Sequence, residues 1–300
     1  DFQRRSAMTL QGAFTAMVTP FRDGRLDEDQ LAQNVAFQIE QGIDGLVPVG
    51  TTGESPTLSH DEHRRVIEKT IEAAGGKVKV IAGTGSNATQ EALELTRHAK
   101  QAGADAALMV NPYYNKPSQE GLYRHFMTVA DQVDLPIVLY NIPGRTAIQL
   151  TAETIARLAR HANIVAVKEA TGSMDMASEI AMRCEGQQMD ILSGDDSLTL
   201  PLMSIGATGV VSVVSNILPA RVKALVDAAL KGDFLEARKQ HLALFPLFRG
   251  MLSLDVNPVP VKTAMRLLGR DTGELRLPLC EMSDESAAAL EKVLRTADVL

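Results

Sequence analysis

The chain has no tryptophan, and its aromatic residues come to only 4%. A core without large rings has to be aliphatic. The 45% hydrophobic content of these 300 residues supplies one without a disulfide or metal staple. Cysteine is scarce too. Cys184 and Cys280 stand far apart with no CxxC spacing, which fits a reducing compartment and neither a disulfide framework nor a zinc site. No apolar run approaches the length of a membrane span. Basic residues are outnumbered, giving a formal net charge of -7, and they are scattered. This argues against nucleic acid or an anionic membrane as partner, but not against a small anionic substrate in a locally cationic site. Residues Asp1-Phe-Gln-Arg-Arg-Ser-Ala7 hold neither an initiator methionine nor the apolar stretch of a signal peptide. We read residues 1–7 as a cloning remnant ahead of Met8, and expect a cytoplasmic protein.

Short apolar runs alternate with amphipathic segments. The runs are Phe14–Val18, Gly45–Val49, Val78–Ala82, Ala106–Val110, Ile137–Tyr140, Ile164–Val167, Asp190–Leu192 and Val210–Val213. They recur roughly every 25–35 residues with a helical pattern after each, the signature of parallel strands with helices outside. Eight such units predict an α/β fold of (β/α)8 TIM-barrel type, whose usual size is about 250 residues. An open doubly wound sheet is the runner-up. After about residue 218 only helical patterns remain, at Pro219–Lys231, Phe234–Met251, Val259–Leu268 and Ser283–Ala297. We therefore expect a catalytic barrel over 8–231 and an all-helical C-terminal appendage over 232–300. Ser59 and Glu62 have the spacing of a capping box, which predicts a helix start there.

In such barrels chemistry gathers at the C-terminal ends of the strands. Those ends read Gly50-Thr51-Thr52-Gly53-Glu54-Ser55, Gly83-Thr84-Gly85-Ser86-Asn87, Asn111-Pro112-Tyr113-Tyr114-Asn115, Tyr140-Asn141, Lys168-Glu169 and Ser193-Gly194-Asp195-Asp196. Strand alternation puts Lys168 on one face with Ala166 and Ile164, and Tyr140 with Val138. Lys168 and Tyr140 end adjacent strands, so they can meet in the barrel mouth. A lysine among aliphatic walls is desolvated, which favours the neutral amine that attacks ketones. A nearby phenol can move the protons of that chemistry. Spacing alone leaves the bland alternative open, a solvated strand-end lysine and a snorkelling tyrosine.

Three segments carry a resemblance. Gly50-Thr51-Thr52-Gly53-Glu54, Tyr140-Asn141-Ile142-Pro143-Gly144-Arg145-Thr146 and Val167-Lys168-Glu169-Ala170-Thr171-Gly172 together resemble the pyruvate-dependent class I aldolase superfamily, and within it the dihydrodipicolinate synthase family. The likeness runs from about Gly12 to the C-terminus. It implies a lyase that joins pyruvate and L-aspartate-β-semialdehyde into 4-hydroxy-tetrahydrodipicolinate, without metal or organic cofactor. It further implies Lys168 as the Schiff-base lysine and Tyr140 as the proton shuttle. Thr51 and Tyr114 match its hydrogen-bonding partners, the latter reaching in from a neighbouring subunit of a homotetramer or dimer. Thr52 matches the group on the pyruvate carboxylate. Arg145 matches the grip on the semialdehyde carboxylate, a task that suits a planar guanidinium fork. Gly194 and Val211 match positions lining the pyruvate pocket, where Val211 replaces a commoner isoleucine.

Sister activities are the alternative: N-acetylneuraminate lyase or a 2-keto-3-deoxy sugar acid aldolase. The Thr51-Thr52 pair and Arg145 favour the synthase. A catalytically dead ligand-binding relative is the non-enzyme alternative, disfavoured because every matched reactive residue is present. Gly83-Thr-Gly-Ser-Asn-Ala88 fits a permissive dinucleotide pattern, but Asp105 begins the next strand where an acid should end one. His60 and His63, one helical turn apart, lack a third ligand for a metal. The resemblance offers them another role, since Ser55, His60, His63, Asn87, Glu91 and Tyr113 match an L-lysine feedback site. Asn87 and Glu91, four apart, are expected on one helical face.

Overall fold

The computed structural model describes residues 8–300; the cloning-remnant expectation falls on residues 1–7, outside the described residues. The strands are β1 (Gly12–Ala16), a short pair β2 (Phe21–Arg22) and β3 (Arg25–Leu26), then β4 (Gly45–Val47), β5 (Lys79–Gly83), β6 (Ala106–Val110), β7 (Ile137–Asn141), β8 (Ile164–Glu169), β9 (Asp190–Ser193) and β10 (Gly209–Ser212). The helices are α1 (Glu28–Glu40), α2 (His60–Ala74), α3 (Thr89–Ala102), α4 (Gln119–Gln132), the single turn α5 (Pro143–Thr146), α6 (Ala152–Leu158), α7 (Met174–Arg183), α8 (Thr199–Met203), α9 (Pro219–Leu230), α10 (Phe234–Ser253), α11 (Val259–Leu267) and α12 (Asp284–Thr296).

Eight strands close into a barrel in the order β1-β10-β9-β8-β7-β6-β5-β4, and β1 pairs in parallel with β4 to complete the ring. This is the predicted α/β barrel, and closure removes the open-sheet alternative. Every residue of β1, β7 and β8 is buried, as expected of parallel strands covered on both faces. The β2–β3 hairpin was not foreseen. It turns on Asp23-Gly24, both at positive φ, as a two-residue Asp-Gly hairpin requires. Its two-residue arms are too short to show an alternating pattern.

One compact unit comprises Ile81–Val210 with the stretch up to Gln11, and a second comprises Gly12–Val80 with Val211–Leu300. In the first, α4, α6 and α7 begin on Ser118, Thr151 and Ser173, each accepting a backbone N–H of the first turn. In the second, Ser59 and Glu62 form the expected capping box at the head of α2, and Gly75 ends that helix in the left-handed conformation. Ser283 caps α12, its hydroxyl accepting the Ser286 N–H at 3.2 Å. Among the described residues no helix is long and apolar enough to cross a membrane.

Candidate active site

Lys168 and Tyr140 face each other in register across β8 and β7. Both are buried, at 6% and 5% exposure, and the lysine Nζ sits 4.0 Å above the centroid of the tyrosine ring. Among the described residues Lys168 has no carboxylate partner, and the face of the Tyr140 ring lies against its amine. The Lys168 stem also explains Gly194. A Cβ added there would lie 3.2 Å from Lys168 Cε and 2.6 Å from the Ala170 Cβ, so only glycine lets this loop approach the amine. The expected meeting of Lys168 with Tyr140, beside Gly194, is what the structure shows.

One residue further along the same strands the side chains turn to the opposite face and become polar. Asn141 and Glu169 are in register, both nearly inaccessible, and the Asn141 Nδ2 donates to Glu169 at 3.3 Å. Burial pushes the Glu169 carboxyl above its usual range, although it accepts hydrogen bonds from Thr171 and Asn141. Arg145 stands on the single turn α5, exposed to solvent above buried Thr146. Tyr114 is 90% exposed and held at φ 73°, while its neighbour Tyr113 is 38% exposed.

Thr51 and Thr52 lie in the turn after β4. Thr52 is buried, and its hydroxyl accepts a hydrogen bond from Asn257 Nδ2 at 3.0 Å. Two residues on, Glu54 is fully withdrawn from solvent in a left-handed conformation, φ 53°. Its carboxylate takes Lys262 Nζ at 2.8 Å and the Arg276 N–H at 3.1 Å. Val211 is buried on β10. These partners of the Gly50–Ser55 turn, Asn257 and Lys262, escaped sequence reasoning. The available signal was a lone lysine inside Val259-Pro-Val-Lys-Thr-Ala-Met265, every residue of which is buried.

Of the residues matched to an effector site, Asn87 and Tyr113 meet directly, Asn87 Nδ2 donating to the Tyr113 carbonyl at 3.1 Å. Ser86, which was not foreseen, donates a very short hydrogen bond to Glu91. Burial, then the Glu91 charge, raises the Tyr113 phenol above its ordinary value. The expectation that Asn87 and Glu91 share a helical face needs correction. α3 starts only at Thr89, and Asn87 lies in the bend before it, where the Ser86 hydroxyl accepts the Ala88 N–H at 3.1 Å. Ser55 opens a short 3-10 turn, and His60 and His63 occupy the first turn of α2, exposed and buried respectively.

Comparison with known proteins agrees with this geometry. Residues 9–297 match the model of the Dihydrodipicolinate synthetase family. The 4-hydroxy-tetrahydrodipicolinate synthase of Pelobacter propionicus is 56% identical over 287 residues, covering 96% of this chain and 98% of that protein. The crystal structure of the chloride-inhibited dihydrodipicolinate synthase from Acinetobacter baumannii complexed with pyruvate superposes with a TM-score of 0.94 at 42% identity, over 97% of this chain and all of that one. The enzyme from Cyanidioschyzon merolae with lysine bound gives a TM-score of 0.92 at 40% identity, over 97% and 99% of the two chains. With its closed barrel, its strand-end lysine and tyrosine, and relatives matched over nearly their whole length, the chain belongs to the dihydrodipicolinate synthetase family.

Proposed function

We propose that this chain condenses pyruvate with L-aspartate-β-semialdehyde to 4-hydroxy-tetrahydrodipicolinate, with Lys168 as the amine that carries pyruvate. The observation that carries the assignment is the Lys168–Tyr140 pair, a buried lysine with no carboxylate partner among the described residues and a phenol ring against it. The Lys168 amine adds to the pyruvate ketone. The carbinolamine loses water as the Tyr140 phenol supplies and recovers protons. The resulting protonated imine draws electrons from the methyl carbon, which gives up a proton and becomes an enamine. The enamine carbon attacks the aldehyde. The amine of the adduct then displaces Lys168 and closes the ring. The imine is itself the electron sink, so no cofactor enters the scheme.

Thr51 and Tyr114 complete the proton path to Tyr140, Thr52 binds the pyruvate carboxylate, Gly194 and Val211 line the pocket, and Arg145 binds the carboxylate of the semialdehyde. The 90% exposure of Tyr114, in a left-handed turn, supports a ring presented to another copy of the chain in a homodimer or homotetramer. Ser55, His60, His63, Asn87, Glu91 and Tyr113 are assigned to L-lysine as feedback inhibitor. The lysine-bound relative and the Asn87–Tyr113 contact support this. Residues 8–231 form the catalytic domain and 232–300 the helical one, a division supported by the end of α9 at Leu230 and the positive φ of Gly232. The cytoplasm fits two cysteines that are both free.

Borohydride reduction in the presence of pyruvate tests the assignment. Intact mass and peptide mapping are expected to show a three-carbon adduct on Lys168. An adduct on another lysine, or none, overturns it. A coupled assay with pyruvate and the semialdehyde, run beside one with N-acetylneuraminate, separates the synthase from its sister lyases.

A further inference from the structure

The segment that carries Arg145 leaves the barrel at Asn141 and returns at Leu150, and Asn141 holds both ends. Its Oδ1 accepts the Leu150 N–H at 2.9 Å and its Nδ2 donates to the Leu150 carbonyl at 3.2 Å, so the side-chain amide pairs with this backbone as a neighbouring strand would. Its remaining capacity is also used. Asn111 Nδ2 donates to Oδ1 at 3.1 Å, and Nδ2 donates to the Glu169 carboxylate at 3.3 Å. All four hydrogen-bonding valences of the amide are thereby filled in a buried setting. Glu169, directly after Lys168 in the chain, spends its other oxygen on the Thr171 N–H at 2.7 Å. From the far side, Gln119 donates to the Gln149 carbonyl at 2.8 Å and accepts the Thr154 hydroxyl at 2.7 Å. Between these clamps the segment is closed on itself, Arg145 N–H to Ile142 and the Thr146 hydroxyl to Ile148.

A buried amide with every valence filled costs little to keep and much to disturb. Nothing in the condensation scheme touches Asn141 or Glu169, yet the pair ties the base of the Arg145 segment to the strand position next to Lys168. We propose that Asn141, fixed by Glu169, is a specificity-determining positioning residue that sets where the Arg145 guanidinium stands relative to the Lys168 amine. The spacing between amine and guanidinium then selects aldehydes whose carboxylate lies at the matching distance from the reacting carbon. Pyruvate, held by Lys168 and Thr52, does not depend on that spacing. The inference rests on the roles given above to Lys168 and Arg145.

Polarity gives a sharp test. Asn141→Asp replaces donors by acceptors facing the Leu150 carbonyl and the Glu169 carboxylate. Glu169→Gln leaves a carboxamide between two donors, Thr171 N–H and Asn141 Nδ2, and it can accept only one. The double variant reverses the polarity of the 141–169 contact and restores a donor facing an acceptor there. Asn141→Asp is expected to raise the KM for the semialdehyde at least about tenfold, with Glu169→Gln smaller, about threefold to tenfold, and the double variant closer to wild type than Asn141→Asp alone. Borohydride trapping of pyruvate on Lys168 should stay within about twofold of wild type throughout. A role in folding alone would move trapping and the semialdehyde KM together, and that result overturns the proposal. So does an unchanged semialdehyde KM in folded Asn141→Asp protein. Should Asn141→Asp fail to fold, Glu169→Gln and Gln119→Ala loosen the segment from its two sides without adding charge, and an unchanged KM in both is equally decisive against it. Wild-type protein that does not trap pyruvate would sink the assigned activity instead, whereas a trapping wild type with indifferent variants would sink only this inference.

Discussion

Lys168 and Lys262 are both withdrawn from water, at 6% and 0% exposure, and the chain surrounds them in opposite ways. Lys262 Nζ donates to the Thr19 carbonyl at 2.9 Å, to Glu54 at 2.8 Å and to the Glu274 carbonyl at 2.5 Å, which uses all three ammonium donors. Glu54 accepts a left-handed backbone to reach it. Lys168 has the face of the Tyr140 ring and no carboxylate among the described residues. Three hydrogen bonds, one of them to a carboxylate, hold the Lys262 side chain in one place. The Lys168 side chain lies against a ring face and has no such set of acceptors among the described residues. Burial of a lysine therefore says nothing about its chemistry until its acceptors are known. Lys262 holds the Gly50–Ser55 turn to α11, and Lys168 has no such anchor among the described residues.

Substituting each lysine by methionine is the strongest way to break this comparison. Lys168→Met should abolish pyruvate trapping and lower turnover by more than about a thousandfold, over about 4 kcal/mol in barrier, while stability holds or rises. Lys262→Met should do the reverse in kind. It strands the Glu54 carboxylate in the interior, and losing one partner of a buried pair costs about 3–5 kcal/mol of stability. Denaturant melts with parallel trapping assays read both. If Lys168→Met destabilises as much as Lys262→Met, the two environments are not opposite and the argument fails.

The next test removes both charges of the structural pair. Glu54→Gln with Lys262→Met removes both ions of the pair, so most of the single-variant loss should return, with a coupling energy of about 2–3 kcal/mol in the double-mutant cycle. Additive losses would mean that Glu54 and Lys262 act separately, through Arg276 and the carbonyls of Thr19 and Glu274 respectively. A turn thus released from its anchor should also bind pyruvate more weakly if Thr52 depends on it, which the pyruvate KM of the double variant reports.

The difference between the two lysines also explains what could be foreseen. Lys168 and Tyr140 each end an aliphatic run, so strand alternation and the order of neighbouring strands suffice to bring them together, and the register shift between Ile137 and Val138 leaves that pairing intact. Helix starts at Ser59 and Ser283 were equally legible because capping is local. Glu54 and Lys262 are 208 residues apart, and Thr52 and Asn257 are 205 apart. No periodicity or motif spacing reaches that far. Asn87 was misplaced onto a helix because a four-residue spacing does not mark where a helix begins, and α3 begins only at Thr89. Asn141 lay in plain view inside a motif, but its hydrogen bonds to Asn111 and Leu150 exist only once the strands are in register.

The smallest expected effect concerns a carboxyl near the structural lysine. Asp271 is 6% exposed; one oxygen accepts the Gly273 N–H at 2.7 Å, and the other has no hydrogen bond among the described residues. Burial pushes its pKa up to about 6, with Lys262 pulling it back and Glu54 and Asp27 adding to the rise. A carboxyl raised in the folded state binds its proton more tightly than in the unfolded chain. Its stabilising contribution is therefore full below the ordinary carboxylate range and is lost as pH rises through about 6. Glu62 has the opposite sign. Arg276 holds it down to about 2, so its contribution is present above the ordinary range and is lost as pH falls toward 2. Between about pH 4 and 6 Asp271 should then cost the folded state about 2 kcal/mol, a slope that Asp271→Asn removes while leaving the acid limb set by Glu62 unchanged. Urea melts at pH 4, 5, 6 and 7 on the two proteins would show it. Parallel stability curves would mean that Asp271 is ionised throughout this range, that the positive field of Lys262 extends beyond Glu54, and that the contrast with Lys168 is larger than the hydrogen bonds alone suggest.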